Sequence, residues 1–258
     1  WKFNLDDTSI SRWGLSYNAG LITVKDSAGT AQPITGTPTL GRNALKMARN
    51  GAPSVMVYFG TGKYSETTDI SSTAVQSIYA IADAGNAISL TSANRNTTLL
   101  QKSITAETNG VRTVSPDATP VATEIPVVDW SRYSGWYLDL KFGTAASAAK
   151  GERVIVKPLL LFDRLIVNTF IPSPNQCDYG GSGWLMQLTG VGDKFIGLNV
   201  LLNNANIELQ DPILGDLIPI MAGERVFILG SELSGSVEAF VGEAGAGTRG
   251  RMSWRQLK

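Results

Sequence analysis

The sequence has 258 residues, 43% of them hydrophobic, and its 22 basic and 22 acidic side chains balance to a net charge of zero. A neutral chain lacks the electrostatic attraction that supplies most nonspecific affinity for nucleic acid, so we expect no nucleic-acid partner. The absence of histidine excludes a Ser/His/Asp triad, a Cys/His pair and His-ligated zinc. No apolar run approaches the roughly 18 residues of a membrane helix, which predicts a chain with no membrane-spanning segment.

Short runs rich in Val, Ile and aromatic residues alternate with Gly, Pro, Asn and Ser clusters, which predicts a succession of short β-strands. The chain is already strand-like at Trp1–Leu5, and we therefore expect the sequence to be a fragment of a longer protein. Ser71–Gly85 is the best candidate for a helix. Its central residues also fit a strand, and the internal repeat favours the strand.

The internal repeat consists of four segments in which an aromatic residue is followed by apolar residues near a polar position. They are Trp1–Leu5, Ile78–Asp83, Trp136–Leu140 and Trp184–Leu188. The second and fourth segments are each preceded by a proline-containing strand, a further strand and a turn. Such units, each unable to bury both faces alone, predict an all-β fold that is a modified β-propeller or the C-terminal portion of one. A β-sandwich is the alternative.

The prolines and the long inserts fit this architecture. Pro38 and Pro158 are expected at strand starts or sheet edges, where no ladder N–H is needed. Segments 7–33, 86–134 and 190–222 are too long for hairpin turns and are predicted to cover a face or a side. Within the second, residues 93–124 are predicted to form an exposed hairpin. We treat residues 1–258 as a single domain.

Two glycine-rich motifs invite comparison with phosphate-binding loops. In "SPNQCDYGGSGW", Gly180, Gly181 and Gly183 are predicted to allow positive φ angles where the chain turns into a strand. A phosphate cradle would need a helix after the loop, whereas "WLMQL" has the pattern of a strand. In "FGTGKY", Gly60 and Gly62 are predicted to form a turn, with Tyr64 as a packing or rim residue, because P-loop spacing is missing.

Paired carboxylates are the catalytic chemistry that a histidine-free chain could still perform. Asp139 lies in the third repeat segment, where the first and fourth have Asn4 and Gln187. A polar residue at each repeated position predicts a structural hydrogen-bonding role. The enzymatic alternative is a propeller-fold enzyme, either a glycosidase-like hydrolase or a quinoprotein, with a carboxylate pair facing a deep central channel. We assign no catalytic, cofactor-binding or metal-binding residue.

The single cysteine and two tryptophans call for separate interpretation. Cys177 cannot form a disulfide within the chain. We expect it to be buried, while a free thiol or a bridge to a segment outside this sequence stay open alternatives. Trp13 and Trp130 lie in polar surroundings, which suggests that one of them is exposed at a contact surface.

Five motifs occur here in the order in which they occur in a known domain. They are "VYFGTGKY" (Val57–Tyr64), "GWYLDL" (Gly135–Leu140), "GERVIVKPLL" (Gly151–Leu160), "CDYGGSGWLMQL" (Cys177–Leu188) and "GRMSWRQL" (Gly250–Leu257). Together they resemble the C-terminal β-propeller of the PilC/PilY family of type IV pilus tip-associated adhesin and biogenesis proteins. The resemblance spans the chain from "WKFNL" to its end.

The resemblance implies a non-enzymatic module of pilus biogenesis, adhesion and twitching motility. It implies a place at the pilus tip on the cell surface, reached through the periplasm of a Gram-negative bacterium, and control of pilus extension against retraction. Minor or tip pilins and host or abiotic surfaces are the implied partners.

Calcium is the cofactor implied by the family, but its D-x-D-x-D-G-x-x-D loop has no match in this sequence. Asp6 and Asp7 are adjacent, so their side chains do not converge. Asn204, Asn206 and Glu208 come nearest, yet they lack the first carboxylate and the central glycine. A polar loop is the better interpretation of these residues, and no calcium ligand is assigned to this chain.

Overall fold

The computed structural model describes residues 1–5, 7–17, 20–116, 128–143, 149–161, 163–175, 180–191 and 206–243. Cys177 lies outside them. The described regular structure is mostly β, which confirms the predicted all-β class. The first eight strands are β1 (Phe3–Asn4), β2 (Gly14–Leu15), β3 (Thr39–Met47), β4 (Pro53–Gly60), β5 (Ser77–Asp83), β6 (Leu100–Thr108), β7 (Val111–Ser115) and β8 (Gly135–Phe142).

The other strands follow after the middle of the chain. They are β9 (Leu159–Leu161), β10 (Arg164–Asn168), β11 (Ile171–Pro172), β12 (Gly181–Thr189), β13 (Asn206–Leu209), β14 (Ile218–Ala222), β15 (Arg225–Ser231) and β16 (Val237–Glu243). A single-turn α-helix, α1 (Arg95–Thr98), precedes β6, and two short 3-10 turns cover Ile10–Arg12 and Thr67–Asp69.

Strands β3 to β13 form one sheet in the order β3-β4-β5-β8-β6-β7-β13-β12-β10-β9, with β11 paired to β12. Neighbours in this sheet are antiparallel except β6 and β8, which run parallel. The repeat therefore does not divide the described strands into separate four-stranded blades. Instead the strands join laterally into a nearly closed, barrel-like sheet.

The two ends of the sheet meet at a seam between β3 and β9. Thr39 Oγ1 donates a hydrogen bond across it to the carbonyl oxygen of Pro158. A Cβ at Gly41 would lie 2.7 Å from Leu160 Cδ2 and 2.9 Å from Tyr58 Cε2, so these side chains would have to shift if the glycine were replaced. Pro38 and Pro158 directly precede β3 and β9, which confirms their predicted place at strand starts.

Apolar side chains fill the inside of the curved sheet. The largest cluster is formed by alternate residues of β4, β5, β8, β10 and β12, among them Met56, Trp136 and Trp184. On the outer face, segments 20–34 and 88–99 cover β4, β5 and β8 with a second cluster around Tyr79 and Tyr137. The small sheet β14-β15-β16 covers β10, β12 and β13 with a third.

Two local predictions can be compared with these strands. Ser77–Asp83 is a fully buried strand, as the repeat predicted. The predicted hairpin also forms, as β6 and β7. It is not an exposed excursion, however, because β6 pairs with β8 and β7 with β13, which turns Lys102 and Arg112 into the interior.

Candidate binding surface

A groove of about 580 Å³ runs along the outer face of β3, β4 and β5. Its floor and walls are apolar, and Lys2 and Asp83 lie at one end. We call it the apolar groove. Its principal lining residues are Trp1, Leu21, Ile34, Leu40, Val55 and Val57.

Strand register explains why this face is apolar. Leu40 pairs with Val57, and Val57 pairs with Ile81, so three apolar side chains form a row across the outer face of the sheet. The row is covered at Ile81 and uncovered towards β3, where Leu40 is 63% exposed. Val55, which lies on β4 beside the row, is 43% exposed. Exposed apolar patches rimmed by polar residues mark interaction sites.

The Lys2–Asp83 ion pair ties the N-terminal segment to the groove. Lys2 Nζ lies 2.7 Å from Asp83 Oδ2, and the Tyr17 hydroxyl donates to Asp83 Oδ1 at 2.5 Å. Burial alone would raise the pKa of Asp83, but the hydrogen bonds from Lys2 and Tyr17 outweigh it and hold that pKa below its ordinary value. The same contact raises the pKa of Lys2.

We expect this ion pair to make the free energy of unfolding depend on pH. A carboxylate with a lowered pKa stabilises the fold above its unfolded value, near 3.9, and this contribution is lost as the pH falls through the folded pKa. Since Lys2 is partly exposed, the contribution is about 0.5–1 kcal/mol. The free energy of unfolding, measured with urea, should change less between pH 6 and pH 3 for Lys2→Met than for the unchanged chain. An equal difference in both would contradict this assignment.

The predicted exposed tryptophan is Trp13. It is 46% exposed, and its indole Nε1 donates to the backbone oxygen of Asp7 at 2.8 Å. Trp130 is buried and donates to the backbone oxygen of Val191. The contact role of Trp13 stays a prediction, and other exposed apolar residues lie along the same N-terminal segment, including Phe3, Leu5 and Ile10.

Asp139 is the acceptor of a buried hydrogen-bond network outside the curved sheet. Arg95 donates to both of its carboxylate oxygens, at 2.6 and 3.1 Å, and Ser77 donates to one of them at 2.6 Å. The guanidinium carbon of Arg95 lies 3.7 Å from the ring centre of Tyr137. Burial raises the pKa of Tyr137 to about 12, so its hydroxyl stays neutral. These contacts give Asp139 the hydrogen-bonding role that the repeat suggested.

The other two members of the repeated polar position are placed differently. Gln187 is buried in β12, whereas Asn4 is exposed in the separate two-stranded sheet formed by β1 and β2. The first repeat segment is therefore not equivalent to the others. Trp1 is correspondingly exposed, while Tyr79, Trp136 and Trp184 are buried.

A second buried network lies at Arg112. Its guanidinium makes a two-pronged contact with Glu152, at 2.7 and 2.8 Å, and donates to Glu107 at 2.6 Å. The guanidinium carbon of Arg112 lies 4.1 Å from the ring centre of Trp184, and Thr169 donates to Glu152 at 2.6 Å. The sequence pattern did not single out Arg95, Arg112 or Glu152, because nothing in it shows that these charged side chains are buried in the fold.

These networks bear on the enzymatic alternative. Asp139 and Glu152 are each bound by an arginine, and most buried side chains inside the described sheet are apolar. A carboxylate pair free to transfer protons across a substrate is therefore not formed by these two residues.

The glycines of the two motifs serve close packing as well as turning. Gly180 and Gly181 have φ of +79° and +149°, as predicted, and a strand, β12, rather than a helix begins at Gly181. Gly183 does not have a positive φ, and a Cβ there would lie 2.1 Å from the carbonyl oxygen of Thr169. The predicted turn at Gly60 is wrong, because Gly60 ends β4 and leaves room for Val154.

Gly62 has a positive φ of +135°, and a Cβ there would meet the side chain of Arg153 at 2.4 Å. Tyr64 packs edge-on against Phe170 with ring centres 4.8 Å apart, which is the packing role predicted for it.

One of the residues nearest to a calcium loop takes part in the sheet itself. Asn206 accepts from the backbone N–H of Gln187 and donates to the carbonyl oxygen of Arg112, so its amide is used within the sheet. Asp6 and Asn204 lie outside the described residues. In the part of the chain that the structure describes, no cluster of carboxylates, histidines and cysteines could hold a metal ion.

Comparisons with known proteins show that the chain is similar to proteins of the type IV pilus. The family model of the PilY1 beta-propeller domain matches residues 8–115. A type IV pilus biogenesis factor PilY1 homolog of Xylella fastidiosa is 32% identical over 195 residues, covering 73% of this chain and 12% of that protein. The type IV pilus biogenesis factor PilY1 of Pseudomonas aeruginosa is 27% identical over 267 residues, covering 92% of this chain and 22% of that protein.

The fold has a counterpart among solved structures. The crystal structure of the Pseudomonas aeruginosa PilY1 C-terminal domain superposes with a TM-score of 0.62 at 23% identity, over 91% of this chain and 50% of that one. The likeness supports the fold. The chain spans only 12% and 22% of the length of the first two relatives.

Proposed function

Because the chain belongs to the PilY1 family of type IV pilus proteins, we propose that it is a non-catalytic binding and assembly module in type IV pilus biogenesis. The observation that carries the proposal is its similarity to two proteins named type IV pilus biogenesis factors. The geometry supports binding over catalysis, since Asp139 and Glu152 are bound by arginines while apolar side chains are exposed along the groove.

In this proposal the module acts at the pilus tip, where it contacts minor or tip pilins and influences extension against retraction. Host or abiotic surfaces are its adhesion partners. The large sheet carries the apolar groove, and the N-terminal segment, which lines one side of the groove through Trp1, adds further exposed apolar side chains for these contacts. No helix among the described residues has both the length and the apolar character that a membrane crossing requires.

The test is a count of surface pili, together with an attachment assay, on cells whose protein lacks residues 1–258. Lost pili that return with the intact sequence would support a role in assembly. Normal pili with lost attachment would support adhesion alone. Normal pili with normal attachment would overturn the proposal, and the carboxylates would then need testing as catalysts.

A pair of matched variants tests the groove itself. Val55→Glu places a charge in the groove at a position that is 43% exposed, so the fold should tolerate it while apolar contacts are lost. Val111→Glu, at a position 42% exposed and outside the groove, is the control. We expect Val55→Glu alone to reduce pilus number or attachment, measured on cells with equal protein levels. Equal effects of both variants would show that the groove is not the contact surface.

A further inference from the structure

The small sheet β14-β15-β16 is buried on one face only. Val226, Ile228 and Phe240 turn inward against the outer side of the large sheet. The central strand is β15, so β14 and β16 are both edges. An edge strand carries backbone N–H and C=O groups that can pair with another chain.

The β14 edge is interrupted by a proline. Ala222 and Arg225 pair around the two-residue turn at Gly223, and the closing pair of such a hairpin is hydrogen-bonded. By alternation, the backbone groups of Ile218 and Ile220 also bond to β15, whereas the backbone groups of Pro219 and Met221 point to the open side of β14. Pro219 has no N–H, so an incoming strand would lose a bond at the centre of this edge.

The β16 edge is complete. The hydrogen-bonded partners of β15 on this side are Glu238, Phe240 and Gly242, by the same alternation. The backbone groups of Val237, Ala239 and Val241 therefore point to the open side, and β16 contains no proline. Among the described residues these outward groups have no backbone partner.

The outer face of this sheet is apolar, although an antiparallel sheet packed on one side normally alternates with polar residues on the other. Two rows cross it, Ile218–Leu229–Ala239 and Ile220–Phe227–Val241. Ile218 is 58% exposed, and Val237 at the open edge is 65% exposed. The side chains of Val237, Ala239 and Val241 stand on this face, so a strand added at the open edge would extend it.

Acidic side chains flank the same edge on the other face. Glu238 lies beside Glu232 and near Asp211. Partial burial and the hydrogen bond with Glu232 raise the pKa of Glu238. A basic side chain on an added strand would balance this negative charge.

We propose that β16 is a strand-addition site for an extended segment of a partner protein, with apolar residues at alternate positions and basic residues between them. The apolar residues continue the outer face, and the basic residues lie on the side of Glu238. This inference goes beyond the proposed pilus function and does not depend on it.

The probe is a capped synthetic peptide of about eight residues, the length of a typical strand, in which Lys and Val alternate. Its controls are an alternating Glu and Val peptide and a Lys and Val peptide of the same composition in two blocks. With the full chain, we expect the alternating Lys peptide to bind at least about tenfold more tightly than either control. It should also slow hydrogen exchange of the Ala239 and Val241 amides. Equal binding of the three peptides would overturn the proposal.

Two variants locate the site. Ala239→Pro removes an outward N–H without breaking a bond to β15, so it should weaken peptide binding at least about tenfold, whereas Ala239→Ser should not. Glu238→Gln should weaken it several-fold and reduce its dependence on salt. If Ala239→Pro folds normally by circular dichroism and binds the peptide unchanged, the edge is not the site. If it fails to fold, exchange protection at Ala239 and Val241 in the unchanged chain decides the question.

Discussion

Replacing Asp139 by alanine is expected to lower the free energy of unfolding by about 3–5 kcal/mol. The variant leaves the guanidinium of Arg95 without its counter-charge in a position from which water is excluded. Burial would lower the pKa of Arg95, and Asp139 more than offsets this in the intact network, so the arginine is charged when folded. Urea unfolding at neutral pH measures the change.

Two further variants make this expectation specific. Arg12→Ala breaks an exposed ion pair with Asp7 and should cost less than about 1 kcal/mol. Adding Arg95→Met to Asp139→Ala should restore part of the lost stability, because the uncompensated charge is removed. A loss below about 1 kcal/mol for Asp139→Ala would show that water reaches Arg95 and that the network does not anchor the sheet.

Trp136→Ala is the second substitution with a large expected effect, about 3–5 kcal/mol of unfolding free energy. Trp136 is fully buried, and its indole Nε1 donates to the carbonyl oxygen of Gly190 at 2.9 Å. The centre of its ring lies 4.6 Å from Lys102 Nζ. Its removal would leave a cavity and take the aromatic face away from a buried cation. Thermal and urea unfolding would both report the loss.

Trp13→Ala is the matched control for this substitution. The same side chain is removed at a half-exposed position, so we expect a loss of about 1 kcal/mol or less. Equal losses at the two positions would mean that the inside of the sheet is not the main source of stability.

Strand positions could be predicted from the sequence because they depend on local patterns. Ser77–Asp83 combines β-branched and aromatic residues, and it forms β5. Pro38 and Pro158 mark strand starts because proline cannot donate to a ladder. The aromatic residues of three repeat segments, Tyr79, Trp136 and Trp184, are buried in strands, whereas Trp1 of the first segment is exposed.

The lateral order of the strands could not be predicted in the same way. Lys102 and Arg112 look like surface residues of an exposed hairpin, and only pairing with β8 and β13 turns them inward. There Trp136 and Trp184, which the repeat places at equivalent positions, each face one of these cations. The charge networks follow from long-range register, which a pattern of neighbouring residues does not contain. The apolar groove depends on the same register, since Leu40 and Val57 become neighbours only when β3 pairs with β4.

The place of β8 between β5 and β6 has a consequence for how the chain matures. Along the chain the β6–β7 hairpin precedes β8, yet β6 reaches its position only alongside β8. Until residues 135–142 are in place, β5 and β6 both present open edges. Non-local pairing of this kind slows folding, and open edges are where chains associate wrongly. Premature pairing of β5 with β6 is therefore the misfolding route that the late arrival of β8 leaves open.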